Sequence, residues 1–556
     1  MVFSTNDSKQ PHLVFINGRV LTMDPEETLA ESVSVRGSRI EAIGPTKEIE
    51  RLIKADTEVI DLKGSTMMPG FIEAHGHFPF SGLSAVAVNL NSPPMGNFRS
   101  IPQVIEALRQ KAAETEKGKW IIGFGYDDTL VEEKKMLTRQ DLDAVSAHHP
   151  VYVVHISAHL GSLNTAGLKI YNITAETPNP DGGVIRKESV TGNPSGVLEE
   201  KANYDVRESV FKLSPQEMLS MLQQAVRDYA KHGVTTVQSG NAREPLFTAL
   251  SNASKNGVIP LRIIIWPNIE SAEALISGEI DTDQYNSDRY QIGAVKLTGD
   301  GSIQCYTAYL TQPYHTPFEN NPAYCGYPVL NRSSMTEMIK KLHRAGLQVA
   351  VHANGDAAID NVIAAISEAQ ISHPRSDARH IIVHCQTVRD DQLSKMQELD
   401  ITPSFFPAHI YYWGERHRSL FLGPERTEGM NPLRTALKKG LRFTIHLDTP
   451  VAPINQLLLV WTAVNRQSYE GTVIGPDERI SAIEALKAVT IDAAWQVFQE
   501  EKIGSLEVGK WADMVILSDN PLNNPTQIKE IGVLKTYVGG RLVFDSDDPL
   551  DPGYPE

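Results

Sequence analysis

Cysteine is scarce: Cys305, Cys325 and Cys385 are the only three in 556 residues. They are too few and too oddly numbered for a disulfide framework in a chain of this size, so reduced, incidental thiols are expected. No stretch of about 18 consecutive apolar residues occurs, which argues against a membrane-spanning helix. The opening MVFSTNDSKQPH has no charged segment leading into an apolar run, so no signal peptide is expected and the cytoplasm is the expected location. A basic stripe is missing as well. The net charge of −16 comes from acidic residues spread along the chain, which argues for solubility and against nucleic acid or an anionic membrane surface as partner. Repeats and low-complexity tracts are also absent.

The length exceeds one ordinary domain but suits a barrel of about 250 residues or more with insertions, plus a smaller partner. Near the N-terminus, LVFINGRVLTMDP and ESVSVRGSRIEAIG read as short strands separated by glycine-containing turns, with alternating apolar positions at Val14, Ile16 and Val20. ADMVILSD and VLKTYVGGRLVFD, with a turn at Gly539 and Gly540, repeat that texture near the C-terminus. Both ends are therefore expected to build one discontinuous β-sandwich, residues 1–67 and 502–556, around a larger middle of 68–501. In that middle, β-branched runs alternate with helical stretches. Eight are found: PGFIEAHGH, VTTVQSG from Val234, LRIIIWP from Leu261, GAVKLTGDGS from Gly293, LQVAVHANGD from Leu347, HIIVHCQ from His380, ITPSFFP from Ile401 and RFTIHLDTP from Arg442. They predict an α/β fold, a (β/α)₈ TIM-type barrel, and the long gap after the first run predicts an inserted α+β subdomain over about 79–230 that covers the barrel mouth.

The first run ends in two histidines one residue apart. Residues i and i+2 of a strand point to the same face, so His75 and His77 should aim at one point, either as hydrogen-bonded core histidines or as half of a metal site. Barrels carry reactive side chains at the C-terminal ends of their strands. There the chain offers Lys296 on run four, His352 on run five, His384 on run six and Asp448 on run eight. Four histidines, a lysine and an aspartate on five strand ends are hard to obtain by accident.

These motifs resemble the amidohydrolase superfamily, and the longer ones resemble its branch containing the N-substituted formamide deformylases. The resemblance spans nearly the whole chain, through PGFIEAHGH, VKLTGDGSIQ, AVHANGDAAID, VHCQ, LDTPVAP and GSLEVGKWADMVIL. It implies that His75 and His77 bind one divalent metal, that His352 and His384 bind a second, that carboxylated Lys296 bridges them, and that Asp448 joins the ligands and acts as the catalytic acid–base group. Two zinc ions per chain and a homodimer are implied as well.

The chemistry is consistent with this. Imidazole and carboxylate donors suit zinc, whereas an ammonium has no lone pair, so Lys296 ligates only if carbon dioxide has added to its amine. A one-metal site with Lys296 ion-paired to Asp300 or Asp448 stays open. A divalent metal activates water for attack on a carbonyl, which predicts hydrolysis of a carbon–nitrogen bond in a non-peptide amide or formamide. Two alternatives remain, a deaminase acting on a cyclic C=N substrate and an inactive scaffold, though a scaffold should show gaps among these six positions. No serine or cysteine nucleophile is expected, since neither Cys305 nor Cys385 shows a Cys-His arrangement at the strand ends. His155 and His159 imitate a helical zinc motif, but no glutamate completes HExxH. The candidate substrate-binding residues are Tyr126 and Asp127 in GFGYDD, His159, and His409 and Trp413 in the aromatic loop SFFPAHIYYWGERH. That loop favours a substrate with an apolar or aromatic portion.

Overall fold

Each of the eight runs carries a parallel strand in the computed structural model, which describes residues 12–548. The leader reading of the first eleven residues and the outermost ends of the expected sandwich lie outside these. The strands are β1 (Phe71–Ile72), β2 (Val234–Ala242), β3 (Arg262–Pro267), β4 (Val295–Thr298), β5 (Val349–Ala353), β6 (Ile381–His384), β7 (Thr402–Phe405) and β8 (Thr444–Ile445). Together with the short strand Tyr290–Ile292, β1 to β3 form one four-stranded parallel sheet, and β4 to β8 form a five-stranded one. A parallel bridge between Asn268 and Lys296 links β3 to β4. Past the outer edges, Asp448 N donates to His75 O at 3.2 Å and His77 N donates to Thr449 O at 2.8 Å.

These strands are buried on both faces, as parallel strands flanked by helices must be, and all five residues of β5 are buried. The intervening helices show the spacing expected of one buried face. In Asp356–Ser372 the buried set includes Ile359, Val362, Ile363 and Ile366. Pro215–Lys231 starts on a capping box between Ser214 and Glu217 and buries Met221, Leu222, Ala225, Val226 and Tyr229. Gly82 lies so close beneath it that a Cβ there would sit 2.0 Å from the Met221 carbonyl oxygen.

Between β1 and β2 lies a separate six-stranded mixed sheet, whose members include Ile121–Tyr126, Val151–His155, Leu160–Leu163 and Pro194–Glu200. It has apolar clusters of its own, one around Val104, Leu108 and Val153, another around Tyr152, Leu163 and Leu198.

The termini form two further sheets. One holds His12–Ile16, Ser32–Arg36, Arg39–Gly44 and Thr57–Asp61; the other joins Arg19–Leu21, Leu29–Ala30 and Thr66–Pro69 to Met514–Leu517, Val533–Val538 and Arg541–Asp545. Phe15, Val33, Val35, Met67, Met514, Ile516 and Tyr537 fill the space they share. On the first strand that core face belongs to Leu13 and Phe15 rather than to Val14 and Ile16. The run from Met67 to Ile72 is not one strand. Thr66–Pro69 belongs to the terminal sheet and β1 to the parallel one, with Gly70 between them. Among the described residues no helix is long and apolar enough to cross a membrane.

Candidate metal centre

The six residues singled out at strand ends converge. β1 stops at Ile72, so His75 and His77 do not sit on a strand as expected from their spacing. They project from the loop beyond it, which is pinned by Glu73 N to Thr236 O, Gly76 N to the Gln238 side chain and Phe78 N to Gln238 O. Their ring centroids are 5.1 Å apart. The loop after β8 brings in Asp448, whose Oδ1 lies 3.3 Å from His75 Nε2 and 3.2 Å from His77 Nε2. Lys296, the second residue of β4, places Nζ 3.1 Å from His75 Nε2. On the far side, the His352 and His384 ring centroids are 4.5 Å apart, and His384 Nε2 is 3.9 Å from Asp448 Oδ2. His384 and Asp448 both adopt left-handed backbone, with φ of 80° and 53°, a conformation uncommon for non-glycine residues and concentrated at functional sites.

Acceptors behind the rings fix which nitrogens carry protons. Gln238 Oε1 takes the Gly76 N–H at 2.8 Å, so it is an acceptor and the His75 Nδ1 at 3.0 Å must donate to it. His77 Nδ1 donates to the Gly240 carbonyl at 3.0 Å. His352 Nδ1 faces Asp300 Oδ1 at 3.2 Å, and that carboxylate also accepts N–H groups from Asn354, Gly355 and Tyr309. His384 Nδ1 meets His446 Nε2 at 3.0 Å, and His446 Nδ1 meets Ser404 Oγ at 2.9 Å. With its proton on Nδ1, His75 turns the Nε2 lone pair toward Lys296 Nζ and Asp448, and His77 Nε2 faces the same Asp448 Oδ1. Lone pairs crowded in this way suit a cation, and imidazole nitrogens with a carboxylate oxygen are the donors a zinc-type divalent ion takes. His75, His77 and Asp448 hold ligand atoms within 4.8 Å of one another.

Burial holds the charged forms down. Desolvation, followed by the nearby charge of Lys296, keeps His75 well below the ordinary imidazole range. Burial and neighbouring histidines do the same to His384, and burial with His159 to His352. Burial pushes the Lys296 ammonium down to about 7 against the opposing pull of Asp448.

The substrate candidates divide. His159 reaches the centre: its ring lies 5.0 Å from that of His352, and its Nδ1 is 2.6 Å from Glu200 Oε2. His409 and Trp413 stand one layer back, stacked at 4.5 Å, with His409 against Phe406 and Phe406 against His384. The segment expected as an aromatic loop is a helix, Ala408–Arg416. Asp127 is buried under it, accepting from Arg416 Nη1 at 2.8 Å and Trp413 Nε1 at 3.2 Å. Tyr126 is not brought to the cluster. Its ring sits in the core of the inserted sheet and its hydroxyl donates to Lys135 O at 2.6 Å.

Sequence reasoning missed Gln238 and Glu200, and also Glu73, whose carboxylate accepts Leu447 N at 3.1 Å and Gln456 Nε2 at 2.7 Å and so ties β1 to the Asp448 loop. It also missed a Cys-His contact: Cys305 Sγ lies 3.3 Å from His155 Nδ1. The three thiols are free, as expected.

The chain has known relatives. The chain is similar to an N-substituted formamide deformylase from Arthrobacter pascens, 27% identical over 96% of this chain and 98% of that one. It is 28% identical to the putative amidohydrolase YtcJ of Bacillus subtilis strain 168, over 96% and 99% of the two chains. A crystal structure of an uncharacterized metal-dependent hydrolase from Pyrococcus furiosus superposes with a TM-score of 0.71 at 27% identity, covering 92% of this chain and all of that one. The model of the Amidohydrolase family matches residues 58–544, and the chain belongs to that family.

Proposed function

We propose that the protein hydrolyses carbon–nitrogen bonds of non-peptide amides or formamides at a two-metal centre in the mouth of a (β/α)₈ barrel. The observation that carries this reading is the convergence of His75 Nε2 and His77 Nε2 on one oxygen of Asp448, at 3.3 and 3.2 Å. The backbone links between β3 and β4, and between the loops after β1 and β8, support closing the two parallel sheets into one barrel. His75 and His77 would hold one zinc-type ion and His352 and His384 the other. Lys296 would bridge them as a carbamate, a reading supported by a pKa near 7 that leaves much of the amine neutral and able to add carbon dioxide. The bound ions supply Lewis acidity, making water a nucleophile near neutral pH and polarising the scissile carbonyl.

In this reading Asp448 takes the proton of the attacking water and returns it to the leaving nitrogen. His159, tethered through Nδ1 to Glu200, has its other nitrogen left for the substrate. Phe406 lies against His384 with His409 and Trp413 stacked behind it, an aromatic backing that favours an apolar or aromatic group on the substrate, while Asp127 holds Trp413 and Arg416 in place. The deformylase similarity supports an N-formyl or N-acyl amine as the substrate class.

The test is a panel of N-formyl and N-acyl amines beside amino-heterocycles, run with and without a chelator. Release of free amine that the chelator abolishes and zinc restores is the expected result. Ammonia release from the heterocycles alone would make the protein a deaminase.

A further inference from the structure

The inserted sheet carries a second constellation that the hydrolytic centre does not use. His155 ends the strand Val151–His155, and Cys305 closes the short turn Ile303–Cys305 that follows β4. Cys305 Sγ lies 3.3 Å from His155 Nδ1, and His155 Nε2 lies 3.2 Å from Asp128 Oδ1. The Ser157 backbone N–H donates to Nδ1 at 3.1 Å, so that nitrogen is an acceptor and the proton sits on Nε2, pointing at Asp128; Ser157 Oγ also lies 2.9 Å from Nδ1 and 3.0 Å from the sulfur, so it stands beside both partners of the thiol proton transfer. A thiol, a base nitrogen turned to it and a carboxylate on the base's other nitrogen form a nucleophile relay.

Metal binding is the competing reading, since Asp127, Asp128 and His155 hold ligand atoms within 4.8 Å of one another. Asp127 opposes it, being committed to Arg416, Trp413 and Thr129. Cys305 lies on the other imidazole nitrogen from Asp128, outside that set.

We propose that Cys305 is a modification site, a thiol activated by His155 and Asp128 that reacts with small hydroperoxides. Cys305 and His155 are 5% and 2% exposed, whereas the Asp128 side chain is 28% exposed. At that exposure Cys305 admits a small oxidant and not a bulky one. His155 takes the thiol proton, and the sulfur attacks the terminal peroxide oxygen. The S–O bond forms as the O–O bond breaks, giving the sulfenic acid, and the departing oxygen takes the proton back from His155 as an alcohol, or as water when the oxidant is hydrogen peroxide. Sulfur loses the two electrons that the peroxide gains. Ser157 Oγ, 3.0 Å from the sulfur, also accepts the His159 N–H at 3.2 Å, so an added oxygen crowds the turn that carries His159.

The chain contains its own controls. Cys325 is more exposed and donates to the Ala323 carbonyl, with Arg426 as a neighbouring charge but no imidazole recorded beside it, and Cys385 is buried with its thiol pushed up by desolvation. The full-length protein is treated with hydrogen peroxide for set times, the excess is removed with catalase, the protein is denatured in a cyclic diketone that traps sulfenic acids, and each cysteine peptide is followed by mass spectrometry. Cys305 is expected to label about tenfold faster than Cys325, with Cys385 silent, in line with the selectivity of base-activated thiols. Asp128→Asn should slow Cys305 several-fold and leave Cys325 unchanged. Labelling of Cys305 no faster than that of Cys325, or a Cys305 rate indifferent to Asp128→Asn, would overturn the proposal.

Discussion

Replacing Gln238 with leucine tests whether proton placement behind the rings creates the cation site. The wild-type side chain is buried and accepts two hydrogen bonds, from His75 Nδ1 at 3.0 Å and Gly76 N at 2.8 Å. Leucine keeps the bulk and removes both acceptors. Each donor left buried without a partner costs about 1–3 kcal/mol. Gly76 has no escape, but His75 has one: its proton can move to Nε2, the nitrogen 3.3 Å from Asp448 Oδ1. There it satisfies the carboxylate and cancels a ligand lone pair. Loss of such a supporting partner typically lowers metal affinity by about 10- to 100-fold, equivalent to about 1.4–2.8 kcal/mol. Competition against a chromophoric chelator measures this for wild type, Gln238→Leu and Gln238→Glu. The glutamate variant keeps an acceptor and should retain affinity. A folded Gln238→Leu protein that binds zinc as tightly as wild type would refute the reasoning.

Asp448→Asn should lower kcat by about 10²- to 10⁴-fold, the usual worth of a general acid–base group, while His384→Ala should lose metal and activity together; metal content per chain beside kcat separates the two. His380, at the opposite end of β6 from His384, accepts Val349 N at 3.1 Å and contacts His343 at 2.8 Å, and burial pushes it down to about 3. Its neutral form is the folded form, so its contribution is complete above the ordinary imidazole value and is lost as pH falls toward 3. The loss is on the order of 2 kcal/mol by pH 5, and His380→Gln should flatten that acid limb in denaturant titrations. Arg262 and Asp513 form a buried two-point ion pair between β3 and the C-terminal segment. Asp513→Ala strands the guanidinium and should cost about 3–5 kcal/mol; an unchanged denaturation midpoint would count against it.

The sequence made the strands and six of the converging side chains legible because both leave local marks. Short β-branched runs flanked by turn residues identify strands, and histidine, lysine and aspartate are unusual at their ends. The supporting residues leave no such mark. Gln238 lies 163 positions from His75, Asp300 lies 52 from His352, and His446 lies 62 from His384. Residue types alone do not announce those pairings. Spacing also misled in places. The i, i+2 histidines converge from a loop rather than a strand, and the side chains of His384 and Asp448 are aimed by left-handed backbone that composition cannot reveal. Tyr126 shares a motif with Asp127 yet faces the inserted sheet's core, because successive side chains near a strand end diverge.

The passage from Thr66–Pro69 into β1 through Gly70 bears on how the chain is made. Thr66–Pro69 pairs antiparallel with Met514–Leu517, so the ribosome must deliver nearly the whole polypeptide before that edge is closed. A Cβ at Gly70 would lie 2.1 Å from the Thr235 side chain, so the crossing is held tight by β2 as well. Until the last strands emerge, the segment leading into His75 and His77 has an open hydrogen-bonding edge, a state in which nascent chains recruit chaperones or pair with one another. Expression with the C-terminal strands deleted should therefore give insoluble protein rather than a soluble apo-hydrolase.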